Sequence, residues 1–288
     1  MDIHDCDLQR VTIGKGVEIH FAEAGKGDDL VFVHGGLGDW TSWAPQWPLF
    51  TRHFRCITYS RRYSSPNKNV STVRDHSVVE EADDLGALLA EWNVRDPILV
   101  GTSYGAYTAL QFALTSPACV RALALTEPPV LPLADRTPGG RELRRAFEKL
   151  LACAADAYSR GERAEAVQLL TVSINGDAPQ PATSAEGLRK RMLNAYAMEV
   201  LSGSSKAYPA LDAESLKALR MPMLLTSGVN TPPIHDAVFR GLAELLPLAV
   251  VARVPDAGHG VHRDNPRGFN EVLLRFLEGL PARRGAGQ

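Results

Sequence analysis

The stretch Pro97-Ile98-Leu99-Val100-Gly101-Thr102-Ser103-Tyr104-Gly105-Ala106-Tyr107-Thr108-Ala109-Leu110 runs from an apolar segment, through Gly-x-Ser-x-Gly, into a helical pattern. A strand feeding a helix through that pentapeptide describes a nucleophile elbow, a turn so tight that its flanks must lack side chains. Gly101 and Gly105 remove Cβ where strand, turn and helix would otherwise collide. The turn lifts the Ser103 hydroxyl clear of the sheet, and the helix N-terminus beneath it favours negative charge there. The pentapeptide alone is a weak signal, since a glycine-rich turn with a capping serine would read the same way. Its setting between strand and helix makes Ser103 the candidate nucleophile.

The bulk properties narrow the class. Charged residues make up 22% of the 288, with a formal net charge of −2, so no polyanion-binding surface and no nucleic-acid partner are expected. Cys6, Cys56, Cys119 and Cys153 are widely spaced, with neither a CxxC pair nor metal-ligand spacing. They read as reduced thiols of a cytoplasmic protein. Met1-Asp2-Ile3-His4-Asp5 lacks the apolar core of a signal peptide, and no apolar run reaches membrane-spanning length. A cytoplasmic protein with no membrane partner is expected. Its oligomeric state is left open, a homodimer being one option.

Along the chain, strands and helices alternate. Residues 11–13 and 17–22 read as an edge hairpin, and residues 30–33 and 55–59 as strands. Residues 76–92 carry apolar positions at three- and four-residue spacing, which predicts a helix. The elbow follows, and then a strand over 120–126 that delivers Glu127. This alternation argues for a mostly parallel, doubly wound α/β sheet covered on both faces. From 131 to 218 the strand signal stops, and helices are expected over 141–157, 163–172 and 188–201. Strand and helix resume with 221–227, 233–246, 248–254 and 266–280. The expected organisation is one core, 1–130 with 219–288, interrupted by a helical cap insertion at 131–218.

A serine hydroxyl needs a base to take its proton, and that base is a histidine oriented by a carboxylate. Of the eight histidines, His259 has the best setting, in a loop between an apolar strand and the last helix. His34, directly after a buried strand, suits bracing the glycine turn His34-Gly35-Gly36; His76, His235 and His262 are expected to face solvent. Backbone N–H groups must meet the developing oxyanion. Tyr104, after the nucleophile, is one donor, and Gly36 in the His-Gly-Gly loop is the second, with Gly35 or Leu37 as the fallback. Tyr158, Met192, Tyr196 and Met198 are the candidate cap residues lining a substrate pocket, although helical spacing also suits ordinary packing.

With strand, elbow, His-Gly-Gly loop and late histidine together, the chain resembles the α/β-hydrolase fold superfamily over nearly its whole length, 131–218 standing where that family inserts its cap. The order Ser103 then His259 agrees with it. The resemblance places an acid after the strand at 221–227, but Gly228-Val229-Asn230-Thr231-Pro232-Pro233 has no carboxylate there. Asp236 is the nearest downstream, inside the first turn of a helix, where it suits the helix dipole. Glu127 ends the strand after the elbow helix, a place where haloalkane dehalogenases and zearalenone-type lactonases of the superfamily carry their acid. Glu127 is therefore the expected third member. Arg61, in Ser60-Arg61-Arg62-Tyr63, is expected to tie its loop down by hydrogen bonds. The resemblance implies a serine hydrolase acting on an ester or lactone, with a small-molecule acyl substrate and no metal or other cofactor. The same residues serve C–C bond hydrolases and perhydrolase or haloperoxidase-like enzymes. The fold also serves ligand receptors and cofactor-independent oxygenases.

Overall fold

The computed structural model of the protein describes residues 1–14, 16–71, 75–176 and 184–281. Eight strands form one sheet: β1 (Gln9–Ile13), β2 (Val17–Ala24), β3 (Asp29–Val33), β4 (Arg55–Tyr59), β5 (Ile98–Thr102), β6 (Ala122–Thr126), β7 (Met223–Gly228) and β8 (Val250–Val254). Their order is β1-β2-β4-β3-β5-β6-β7-β8. The β1–β2 and β2–β4 pairs are antiparallel and the other five are parallel. Every residue of β3, β5, β6 and β7 is buried, as continuous apolar runs require of strands covered on both faces. Alternation along the strands divides the core in two. Val31, Val33, Leu99, Leu123 and Leu225 pack on one side with Leu85, Leu88 and Leu110. Leu30, Phe32, Ile98, Val100 and Leu224 pack on the other with Trp43, Trp47, Phe50 and Phe269.

The helices are α1 (Trp47–Phe50), α2 (Val78–Glu91), α3 (Tyr104–Thr115), α4 (Gly140–Ser159), α5 (Arg163–Asn175), α6 (Ala185–Met192), α7 (Ala195–Ser202), α8 (Ala213–Ala218), α9 (Pro233–Leu245), α10 (Val261–Asp264) and α11 (Pro266–Glu278). A capping box between the N-cap Ser77 and Glu80 starts α2 at Val78, two residues after the expected start at His76. Among the described residues no strand stands between β6 and β7, where a 3-10 turn at Leu131–Arg136 and the helices α4 to α8 lie. No helix of the described residues is long and apolar enough to cross a membrane.

One helix expected over 188–201 is instead two, α6 and α7, parted at Leu193 and Asn194. Asn194 is buried at that break. Its Oδ1 accepts from Ser65 N at 2.8 Å, and its Nδ2 donates to Asp39 Oδ2 at 3.2 Å. The chain turns there so that one amide satisfies polar groups of two other loops.

The register sets up the site. Thr102 pairs with Thr126, and Thr126 with Thr226. Ser103 and Glu127 follow β5 and β6, and Ser227 lies near the end of the adjacent β7, all at the same carboxyl edge, where open α/β sheets hold their ligands.

Candidate active site

Ser103 has φ 50° and ψ −124°, a left-handed conformation at the tip of the elbow. The glycines around it have no room for a side chain. A Cβ on Gly101 would lie 2.6 Å from Ala106 Cα, and one on Gly105 would lie 2.3 Å from Val33 O. Ser103 N donates to Thr126 O at 2.8 Å, which ties the elbow to the neighbouring strand. Tyr104 opens α3, so its N–H belongs to the first turn, where no intrahelical acceptor exists.

The His34-Gly35-Gly36 loop lies against the elbow. A Cβ on Gly35 would approach Ser103 Cβ to 3.2 Å, and one on Gly36 would approach Met198 Sδ to 2.6 Å. His34 Nε2 accepts from Arg61 N at 2.9 Å, so its other nitrogen carries the proton and donates to Gly35 O at 2.8 Å. Burial and the Arg61 charge push His34 down to about 4, which keeps it neutral. The Arg61 guanidinium donates to Gly35 O and Gly36 O at 3.4 and 3.3 Å and pairs with the buried Glu81 at 2.9 Å. Both residues thus brace the loop.

Glu127 meets His259 across the top of β7. Its Oε2 lies 2.6 Å from His259 Nδ1 and accepts from Thr231 Oγ1 at 2.8 Å. Oε1 accepts from Ser227 Oγ at 2.6 Å and from Gly228 N at 3.0 Å. Burial works to raise this carboxyl, but the His259 hydrogen bond and charge, with the Ser227 hydroxyl, hold it down at about 2. Glu127 is therefore an anion at neutral pH, and His259 Nδ1 donates to it. That leaves His259 Nε2 as the basic nitrogen. Nε2 is buried, makes no hydrogen bond among the described residues, and stands in a residue that lines one cavity with Ser103. Asp236 lies elsewhere: it pairs with Arg240 at 2.9 Å and with Arg253. Arg253 in turn donates to Ser227 Oγ at 3.1 Å, so Asp236 reaches Glu127 only through two intervening side chains.

Three histidines differ from expectation. His76, His235 and His262 are buried rather than facing solvent. His76 sits between Glu80 and Glu81 at 3.1 and 3.0 Å. His262 packs on the Trp43 ring with centroids 4.6 Å apart. His235 stacks on His259, centroids 4.0 Å apart and 25° between planes, while its Nε2 donates to Ile174 O at 2.9 Å. Burial and the His259 charge push His235 down to about 3. Glu127, His235 and His259 place donor atoms within 4.8 Å of one another, the spacing of a metal site. Within this group Glu127 Oε2 already accepts from His259 Nδ1 and Thr231 Oγ1, and His235 Nε2 donates to Ile174 O.

The cavity beside Ser103 has a volume of about 770 Å³. From 131–218 it takes Ile174, Asn175, Arg191 and Asn194, and from the core Gly36, Trp40 and His259. The four expected liners are not among its walls. Tyr158 is buried within α4, Met192 is 37% exposed, and Tyr196 turns its hydroxyl to Ser71 N at 2.8 Å. Met198 is buried with its sulfur against Gly36. The break at Asn194 leaves Met192 in α6 and puts Tyr196 and Met198 in α7, so one helical spacing over 188–201 does not relate them. Thr231, Ser227 and His235 carried no sequence signal beyond lying in or beside the loop that lacks the acid.

This fold is that of the α/β hydrolases. The sequence profile of the alpha/beta hydrolase family matches residues 30–272, and the chain belongs to that family. It is 25% identical over 272 residues to a Caulobacter sp. (strain K31) protein named "Putative carbamate hydrolase RutD", covering 92% of this chain and 96% of that protein. Among solved structures, a thermophilic esterase from Thermogutta terrifontis superposes with a TM-score of 0.77 at 21% identity, over 95% of this chain and all (100%) of that one. Est816, described as an N-acyl homoserine lactone degrading enzyme, gives 0.73 at 21% identity, over 93% and 100%. These structural likenesses concern the fold.

Proposed function

We propose that the chain is a serine hydrolase that cleaves an ester or lactone through an acyl-enzyme. Ser103 Oγ attacks the acyl carbon as its proton passes to His259 Nε2, and Glu127 stabilises the imidazolium that forms. The N–H groups of Gly36 and Tyr104 hold the oxyanion. The C–O bond breaks as Nε2–H protonates the departing alkoxide. Water then attacks the acyl-enzyme, gives a proton to His259, and releases the carboxylic acid and free Ser103. The hydrogen bond from serine to histidine closes with substrate in place, as catalytic contacts often do.

One observation carries this reading: the buried Glu127 carboxylate bonded at 2.6 Å to His259 Nδ1, in a cavity that His259 shares with the elbow serine. The names carbamate hydrolase, esterase and N-acyl homoserine lactone degrading enzyme among the similar proteins are in keeping with this reading, since hydrolysis of an ester, a lactone or a carbamate is an acyl transfer to water. A fluorophosphonate probe tests the reading together with turnover of p-nitrophenyl acetate. Labelling confined to Ser103 and steady turnover are expected. Labelling without turnover would point to a receptor, and turnover that survives loss of Ser103 would point to an oxygenase-like base mechanism.

A further inference from the structure

The cavity wall carries charge that the acyl-transfer steps do not use. Arg191, in the last turn of α6, and Arg263, in α10, line it together with Ser103 and His259. Arg263 lies against the His259 loop: a Cβ on Gly260 would come within 2.7 Å of its Cζ, so the glycine leaves the space that the guanidinium occupies. Among the described residues its Nε is buried without a hydrogen bond, and an Asp264 oxygen stands 3.5 Å away. The other Asp264 oxygen already accepts from Gly258 N at 3.1 Å. Among the described residues the Arg191 guanidinium has neither an ion pair nor a hydrogen bond.

The other charged groups on this wall have partners. Lys190 pairs with Glu186 at 3.0 Å. Asp39 accepts from Thr41 N at 2.9 Å, Thr41 Oγ1 at 2.6 Å and Asn194 Nδ2 at 3.2 Å. Asp264 stands against Arg263, so Arg191 is the cation of this wall that has no ion pair among the described residues. Burial, and then the Arg263 charge, lower Arg191 from its ordinary value. Like charges held close in a half-buried wall are relieved by an anion, and the planar guanidinium matches the two oxygens of a carboxylate.

We propose that the cavity selects acyl substrates bearing a carboxylate of their own, which Arg191 binds with Arg263 beside it while the neutral acyl end reaches Ser103. What happens after binding rests on the hydrolase reading; the anion site does not.

Calorimetric titration of the Ser103→Ala protein with monoethyl adipate, and with its neutral diester ethyl methyl adipate, tests the site without turnover. The monoester should bind at least about tenfold more tightly, in keeping with a charge-assisted pair. Arg191→Gln should remove that preference, and Arg191→Glu should reverse it. Equal binding of the two esters, or a preference indifferent to both Arg191 variants, overturns the proposal. A second arm uses the Ser103-containing protein with p-nitrophenyl hydrogen adipate and p-nitrophenyl hexanoate. Arg191-dependent binding with no turnover of either ester would leave the anion site standing and sink the hydrolase reading. Equal kcat/KM for both esters, with a ratio unmoved by Arg191→Gln, would do the opposite.

Discussion

His259 Nδ1 lies 2.6 Å from Glu127 Oε2, although 132 positions separate the two residues in the chain. Topology brings them together. β7 runs between β6, which ends at Thr126, and β8, which precedes the His259 loop. The end of β7 has no side chain in the way, since a Cβ on Gly228 would lie 2.2 Å from Ala257 O. The loop that would carry an acid in many relatives supplies donors instead, from Ser227, Gly228 and Thr231. Glu127 itself has φ 45°, a left-handed conformation costing about 1 to 2 kcal/mol in a residue with Cβ. Its hydrogen bonds hold it there.

Glu127→Gln keeps the shape of the side chain and removes its charge. It should lower kcat by roughly a hundredfold to ten-thousandfold. Asp236→Asn, two side chains removed, should leave kcat within about threefold and cost on the order of 0.3 to 1 kcal/mol at the helix terminus. Steady-state kinetics on both variants decides; the reverse ranking would falsify the assignment of Glu127.

Gly105→Ala tests the elbow as a packing device. Its methyl group would meet Val33 O at 2.3 Å, and that neighbour is backbone, which cannot rotate away. A loss of at least about 2 kcal/mol in urea denaturation is expected, or failure to accumulate as folded protein. An unchanged denaturation midpoint would mean that strand and helix are less close than described.

His235→Phe should separate the stack from the hydrogen bond. The phenyl ring keeps an aromatic plane against His259 but leaves Ile174 O without its donor. Stability should fall by about 1 to 3 kcal/mol while kcat stays within about threefold. His235→Ala removes both contacts and should lower kcat about tenfold as the His259 ring gains freedom. Equal kcat values for the two variants would remove the stack from the account.

Acid should destabilise this protein from near neutrality downward. His34 is held at about 4, and His235 and His262 at about 3, against an ordinary 6.5, chiefly by burial. Below pH 6.5 the unfolded chain takes up these protons and the folded chain does not, so stability falls with pH until the folded values are reached. Each group contributes up to about 1.4 kcal/mol per pH unit in that window. Glu127 and Glu81, depressed from 4.5 to about 2, add a second loss between those values. Urea midpoints measured from pH 7.5 to 4 should decline throughout; a flat profile between pH 6.5 and 4.5 would show that the histidines are not buried neutral.

Much of this arrangement is legible in the chain because it is locally encoded. Continuous apolar runs mark the buried strands, paired glycines mark the elbow, and Glu127 stands out because Gly228 to Pro233 lacks a carboxylate. What escapes the sequence is set by distant contacts. His235 occupies a polar helix start beside Asp236, and its burial depends on Ile174, 61 positions away. The 188–201 segment has one unbroken helical spacing, which puts Met192 and Tyr196 on one face. Asn194 breaks that helix to reach Ser65 and Asp39, both far off in sequence. Arg191 and Arg263 belong to no motif, and only the folded cavity brings them to one wall.

The most direct measurement is kcat of Ser103→Ala on an ester that the wild-type chain turns over, made on protein shown by thermal denaturation to be folded. An acyl-enzyme mechanism requires a fall of about a thousandfold or more, since no other group can carry the acyl chain. Retention of a tenth of the wild-type rate would contradict it.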